Sequence, residues 1–205
     1  MPNISSETSK IIAAFDFDGT LTKTDTFRLF LLHCFGLRVC LRGLWDNKRI
    51  LAGYMFGRTT NHKAKQTVFS YFFKGMKQKD FDDVCSQFAR TRIPRQLKTD
   101  AMEKLNWHVQ NGHIVVLVSA SIENWIVPWA KTKGVDIVLA TIVEVKNDIL
   151  TGRFSGANCY GPEKVRRLLE RFPKRQAYQL FAYGDSRGDR DLLALADVAF
   201  YRRFS

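Results

Sequence analysis

Five apolar residues, Ile11-Ile12-Ala13-Ala14-Phe15, run straight into Asp16-Phe17-Asp18-Gly19-Thr20, and this junction constrains the chain more than any other. An apolar run without polar alternation reads as a strand buried on both faces, as in a parallel sheet covered by helices. Two carboxylates, one residue apart, then stand where the strand ends, which in open α/β sheets is the side that binds ligands. Like charges held that close repel unless a cation or a shared proton neutralises them. The junction asks for a metal, an acid/base pair, or both. The competing reading is a capped turn, in which Asp-x-Asp-Gly supplies only turn chemistry.

The rest of the chain changes character twice. From about Phe27 to Arg92 it reads as helices, with Phe27, Phe30, Leu31 and Cys34, then Phe69, Phe72 and Phe73, at helical spacings. Gly36, Gly43, Gly53, Gly57 and Gly75 punctuate this stretch, and Pro94 marks the way out. Thr99 to Gln110 reads as a helix leading back. An α/β rhythm then resumes: a strand at Ile114–Val118, a helix through Trp129, a strand at Val135–Ala140, and a hairpin over Ile142–Phe154 turning at Asn147-Asp148. A helix follows over Pro162–Phe172, with Pro162 at N1 and Val165, Leu168, Leu169 and Phe172 as its buried stripe. Leu180–Tyr183, Asp189–Ala196 and Val198–Tyr201 are the last strand, helix and strand. Alternating strands and helices predict an α/β, Rossmann-like doubly wound parallel sheet. On this reading residues 1–25 and 95–205 form the core domain, and 26–94 are an inserted helical cap domain over the site.

Three further element ends carry chemistry. Ser119 closes the second apolar strand, where a hydroxyl next to helix-starting N–H groups suits a phosphate oxygen; an N-cap is the plainer alternative. Lys164 sits in the first turn of the Pro162 helix, where the macrodipole disfavours a cation, so it calls for an anionic partner unless it is merely solvated. Gly184-Asp185-Ser186-Arg187-Gly188-Asp189 places Asp185 at another strand end and Asp189 at a helix start. Asp16 and Asp185, with the backbone carbonyl of Asp18, make an oxygen set suited to magnesium.

Taken in order, DFDGTLT (Asp16–Thr22), the Ser, the Lys and the GDxxxD element resemble the four motifs of haloacid dehalogenase-like phosphohydrolases. The helical stretch between the first two motifs resembles the subfamily that includes phosphoserine phosphatases (subfamily IB). The resemblance implies that Asp16 is the nucleophile and becomes an aspartyl-phosphate, and that Asp18 is the general acid/base. It implies that Ser119, Lys164, Phe17 and Thr20 hold the phosphoryl group. It further implies Mg²⁺ at Asp16, Asp18, Asp185 and Asp189. In phosphoserine phosphatases an acidic residue shortly after the first motif holds the substrate's amino group. Asp25 stands in a comparable position and Arg28 is placed to meet a carboxylate, although Lys23-Thr24-Asp25-Thr26-Phe27 does not match those enzymes closely.

Composition limits the partners. The net charge is +12, and between Thr26 and Asp100 there are 15 Lys/Arg against 5 Asp and no Glu, so a net +10 lies mostly in the helical stretch. That stretch raises the local concentration of an anionic substrate, membrane surface or nucleic acid. No RNP, helix-turn-helix or zinc-finger pattern supports nucleic acid, and a pure binder has no use for Asp16, Asp18, Lys164 and Asp185 together. The four cysteines show no CxxC spacing, which argues against a zinc site or a disulfide framework. No apolar run reaches the ~20 residues of a membrane span. The expected location is cytoplasmic, with peripheral contact at the inner membrane surface as a possibility the basic, aromatic helices raise. Against that, the aromatics are the packing of the helices and the Lys/Arg their solvated face. The substrate expected is a small phosphorylated metabolite such as phosphoserine. The alternative is a lipid phosphate, from a loose resemblance of the basic, aromatic stretch to phosphatidylglycerophosphate phosphatases. Oligomeric state is open.

Overall fold

The first apolar run is the middle strand of a five-stranded parallel sheet in the computed structural model, which describes residues 10–135 and 137–204. Residues 1–9, and Asp136 within the expected third strand, lie outside the described residues, as does Ser205. The strands are β1 (Lys10–Phe15), β2 (Ile114–Ile122), β3 (Ile137–Thr141), β6 (Tyr178–Gly184) and β7 (Val198–Tyr201), in the order β3-β2-β1-β6-β7. A separate antiparallel hairpin joins β4 (Val143–Lys146) to β5 (Ile149–Phe154). The helices are α1 (Thr26–Asp46), α2 (Lys48–Met55), α3 (Asn61–Phe73), α4 (Gln78–Thr91), α5 (Thr99–Gln110), α6 (Glu123–Lys131), α7 (Pro162–Arg171) and α8 (Arg190–Leu195).

β1 has no polar alternation because both of its faces are covered. Ile12 and Ala14 point into one apolar cluster with Val116, Val118, Leu180 and Ala182, under Leu168 of α7 and Leu192 of α8. Ala13 and Phe15 point into the other, with Val115, Leu117, Trp125 and Trp129. This second cluster continues without a break into the helices between β1 and β2. Phe30 of α1 stacks on Phe73 and meets Phe81, Phe88 and Trp125 at ring distances of 4.6 to 5.8 Å. Helices on both faces make the sheet doubly wound.

Two local features place the site. α1 is broken at Gly36, whose φ of 72° and ψ of 171° lie in a region essentially reserved for glycine. The helix therefore turns a corner halfway along. The β4–β5 hairpin turns at Asn147 and Asp148, both at positive φ, as an Asn-Asp two-residue turn allows. It packs on the helical insertion instead of joining the sheet: Gly75 N–H donates to the Leu150 carbonyl, and Leu150 N–H to that of Met76, both at 2.9 Å.

Several expected boundaries differ, with β6 beginning two residues earlier at Tyr178 and α8 one residue later at Arg190. β2 runs past Ser119 to Ile122, because β3 extends to Thr141, which pairs with Ile122 across an irregularity and donates its hydroxyl to the Ala120 carbonyl at 2.8 Å. Ser119 is thus inside a strand and is not the cap of α6. The third strand begins at Ile137, with Val135 buried in the preceding loop.

Candidate active site

Asp16 leaves β1 still paired to the sheet, its N–H donating to the Tyr183 carbonyl at 2.9 Å. The chain then turns back at once, with Leu21 and Thr22 N–H donating to the Phe17 carbonyl. Gly19 sits at φ 81°, and a Cβ there would collide with the carboxylate of Asp185. The glycine is therefore required twice, by conformation and by the approach of the β6 loop to the β1 loop. Lys98 closes the turn by donating to the Gly19 carbonyl at 2.6 Å.

Lys164 enters from the first turn of α7 and is 98% buried, with a relative exposure of 2%. Its ammonium stands 2.6 Å from a carboxylate oxygen of Asp16 and 2.6 Å from one of Asp189. These two anions answer the demand that a cation at a helix N-terminus creates. The second oxygen of Asp189 accepts from the Asp185 N–H, the Ser186 N–H and the Ser186 hydroxyl, at 3.2, 2.9 and 2.7 Å. Asp189 therefore spends both oxygens on fixing Lys164 and the loop after β6. Thr20 lies between Asp16 and Asp185, its hydroxyl 3.4 and 3.3 Å from their oxygens.

Asp18 is held apart from this group. One of its oxygens accepts from Thr26 N–H at 2.9 Å, and the other from the Ser121 hydroxyl in a short hydrogen bond. Trp125 Nε1 donates to the Thr26 hydroxyl at 3.2 Å, which lies 3.0 Å from that of Ser121. Ser121 has given its one proton to Asp18, so Thr26 must donate to Ser121. The donors thus run in one direction, from the core to the Asp18 carboxylate.

Burial pushes the Asp16 carboxyl up to about 7, with Lys164 opposing the rise. Burial, then the charge of Asp25, pushes Asp18 to about 6 against the pull of Ser121 and Thr26. Asp185 is raised by burial and by Asp189. Burial alone would lower Lys164, but Asp16 and Asp189 outweigh it and hold the ammonium above its usual value. Burial likewise would raise Asp189, which Lys164 and Ser186 instead keep low.

Among the described residues, Asp16, Asp185 and Asp189 bring oxygens within 4.8 Å of one another. Three carboxylates, two buried and Asp185 half-buried, against one ammonium leave an excess of negative charge that is stable only with a further cation or bound protons. An all-oxygen set of this kind fits a hard divalent ion such as Mg²⁺.

The sequence-predicted residues divide accordingly. Asp16, Thr20, Lys164, Asp185 and Asp189 converge. Ser119 is buried beside them, its hydroxyl accepting from Ser121 N–H at 3.0 Å. Phe17 packs its ring on Trp129 at 4.9 Å, so only its backbone is available to a ligand. Asp25 is the N-cap of α1, accepting from Arg28 N–H at 2.8 Å; both it and Arg28 are exposed at the rim of the site. Two residues were not foreseen. Ser121 could have been suspected only from the Ser-x-Ser spacing after β2. Lys65 of α3, half-buried, reaches across to donate to the Ala120 carbonyl at 2.8 Å, and nothing in its local sequence marks it.

A cavity of about 810 Å³ opens above these groups. Asp16, Asp18, Lys164 and Asp185 lie at its floor, whereas α1, α2 and α3 wall it with Leu31, Leu41, Leu44, Leu51 and Val68.

A twisted parallel sheet with this loop geometry at its carboxyl edge is the frame of a large hydrolase family. The chain belongs to the haloacid dehalogenase-like hydrolases, whose family model matches residues 13–194, and it is therefore an enzyme of that family. It is similar to Protein CicA of Caulobacter vibrioides, with 34% identity over 195 residues that cover 95% of this chain and 86% of that protein. Its fold is similar to that of a Bordetella pertussis Tohama I protein of unknown function, with a TM-score of 0.75, 23% identity, and coverage of 91% of this chain and 87% of that one. It is also similar to a phosphoserine phosphatase captured as a phospho-aspartyl intermediate analogue, with a TM-score of 0.61, 18% identity, and coverage of 92% and 84%. These last two likenesses are of fold.

Proposed function

We propose that the protein is a magnesium-dependent phosphomonoesterase that works through an aspartyl-phosphate on Asp16. The observation that carries this reading is the division of labour between two carboxylates, Asp16 buried and Asp18 half-buried. Asp16 is paired with a lysine, while Asp18 accepts hydrogen bonds from Ser121 and Thr26 and has its carboxyl raised to about 6. Paired carboxylates in different environments are what nucleophile and acid/base roles need. An Asp16 oxygen attacks phosphorus as the bond from phosphorus to the ester oxygen breaks, and Asp18 delivers its proton to that oxygen. Asp18, now a carboxylate, then takes a proton from the water that attacks the aspartyl-phosphate, returning Asp16 and releasing phosphate.

Lys164, the Ser119 hydroxyl, Thr20 and the backbone N–H groups of Phe17 and Asp18 hold and neutralise the phosphoryl oxygens. Asp16, Asp185 and the Asp18 carbonyl would hold Mg²⁺, with Asp189 behind them as the residue that fixes Lys164. When bound, the ion supplies positive charge against the phosphoryl oxygens and against the carboxylates. The helices between β1 and β2 serve as the cap. That a phosphoserine phosphatase of like fold has been captured as a phospho-aspartyl analogue supports the covalent step.

For the substrate, the cavity favours a phosphate ester with an apolar leaving group, such as a lipid phosphate, over a small polar metabolite such as phosphoserine. Leucine and valine side chains wall it, and one oxygen of Asp25, the candidate for an amino group, is already taken by the helix cap. A panel of p-nitrophenyl phosphate, phosphoserine and phosphatidylglycerophosphate, each with and without Mg²⁺, tests both levels. Asp16→Asn should lower turnover of every substrate by about a thousand-fold or more while the melting temperature stays close to that of the parent. Substantial activity in that variant would remove the nucleophile assignment, and a marked preference for phosphoserine would remove the apolar leaving group.

A further inference from the structure

The corner in α1 leaves an unusual surface. Beyond Gly36, Leu37, Leu41 and Leu44 recur at spacings of four and three, so they share one helical face. They are 63%, 56% and 44% exposed, yet they also wall the cavity above Asp16. Further along, Trp45, Met55 and Phe56 are 68%, 81% and 77% exposed. Scattered apolar side chains on a surface are ordinary; this many large ones between Leu37 and Phe56 mark an interaction site. The surface is firmly presented. Gly43 lies so close to the ring of Phe72 on α3 that a Cβ would overlap it, and Tyr71 donates to Asp46 at 2.7 Å.

The charge around this surface selects its partner. From Gly36 to Arg58 the chain carries Arg38, Arg42, Lys48, Arg49 and Arg58 against Asp46 alone, and all five cations are exposed. Asp46 accepts from Tyr71 and lies 4.0 Å from Arg42, which leaves the other four cations without an acid in this stretch. We infer that the α1–α2 corner is a docking surface for an anionic lipid bilayer, with its leucines and aromatics in the acyl boundary and its Arg and Lys among the lipid headgroups. Apolar side chains flanked by basic residues on a short helix are the features of segments that lie in that interface. No helix among the described residues is long and apolar enough to cross a membrane, so the contact is peripheral. A second copy of the chain fits poorly, because two such faces would oppose like charge.

The inference rests on the phosphomonoesterase reading and deepens it. The leucines that meet the bilayer are the leucines that wall the cavity, so a phosphate ester with an acyl chain keeps apolar surroundings as its head moves from the membrane to Asp16.

Flotation of the full chain with phosphatidylcholine vesicles, with and without phosphatidylglycerol, tests this at low and high salt. Binding should require the anionic lipid and weaken as salt screens the charge over a Debye length of ~10 Å at 0.1 M. Combining Arg38→Gln, Arg42→Gln, Lys48→Gln and Arg49→Gln should weaken it about ten-fold or more, as should Trp45→Ser with Phe56→Ser. Both variants should hydrolyse p-nitrophenyl phosphate at the parental rate, which also shows that they fold. Binding that ignores lipid charge or salt, or that survives both variants, overturns the inference. So does a concentration-dependent dimer, seen by sedimentation, that Trp45→Ser with Phe56→Ser abolishes. Vesicle binding of the expected kind without any Mg²⁺-dependent phosphatase activity would uphold the docking surface and overturn the proposed function instead.

Discussion

The edge of the sheet and the corner of the insertion treat their side chains in opposite ways. At the sheet's carboxyl edge, Asp16, Lys164 and Asp189 are buried, linked by contacts of 2.6 Å. At the corner, Leu37, Trp45, Met55 and Phe56 stand in solvent. Ordinary sorting puts charge outside and hydrocarbon inside, and both regions reverse it. A buried charged group is tolerable only when paired and hydrogen-bonded, which this one is, down to the last oxygen of Asp189. Exposed hydrocarbon has no equivalent internal remedy. The first region is therefore completed mostly by the protein itself, and the second needs something from outside.

The sharpest way to break this contrast is to unpair the buried site. Lys164→Met leaves Asp16 and Asp189 without their cation, and breaking a buried pair from one side costs about 3–5 kcal/mol. Urea unfolding should show a loss of that order at neutral pH. The loss should shrink at lower pH. Asp16 is a carboxyl whose folded value is raised, so the folded state binds more protons than the unfolded one, and stability from this group falls as pH rises from about 4 through about 7. A pH-independent loss would mean that the carboxylates remain compensated in some other way.

A smaller effect should follow from Ser121→Ala, which removes one hydrogen bond to Asp18. A hydrogen bond to a charged group is worth about 1.5–3 kcal/mol, so kcat should fall by roughly ten-fold or more. Losing a donor that favours the ionised form raises the carboxyl further, so if Asp18 is the acid/base, a kinetic limb expected near pH 6 in the parent should move to higher pH in the variant. An unmoved limb would show that Asp18 is not the group that titrates.

The smallest effect is expected at the corner. Gly36→Ala meets no neighbouring atom within 4 Å, so its cost is backbone strain alone, about 1–3 kcal/mol. Thermal melting should fall accordingly. Hydrolysis of p-nitrophenyl phosphate should be nearly unaffected, because every group assigned to the chemistry lies at the sheet edge. Loss of that activity in a folded Gly36→Ala variant would show that corner and site are mechanically coupled, and the contrast would then be one of degree.

Much of the sheet side was legible in the residues themselves. An apolar run without alternation means two covered faces, and both faces of β1 are indeed covered. Pro162 starts α7, which delivers Lys164 to Asp16 and Asp189, where its awkward position had implied an anionic partner. Asn147-Asp148 makes the tight turn of the hairpin. In each case a few neighbouring residues carry the whole physical cause, whether a fixed φ, a tolerated positive φ or a period of apolar side chains, so reading along the chain suffices.

What only the tertiary structure decided are the relations between distant segments. Ser121 reaches Asp18 because β2 continues past Ser119, and it continues because β3 offers Thr141 beside it. Lys65 belongs to the site because α3 packs over the segment after Ser119. The β4–β5 hairpin, which follows β3 in sequence, completes the side of the helical insertion. The basic, aromatic stretch left two readings open, internal packing or an outward face, and the fold divides it between them. Phe30, Phe69, Phe73, Phe81 and Phe88 are packing, while Trp45 and Phe56 are surface. Helical spacing is the same for a side chain that meets another helix and for one that meets solvent. The difference lies in what the fold brings opposite it, and no local pattern encodes that.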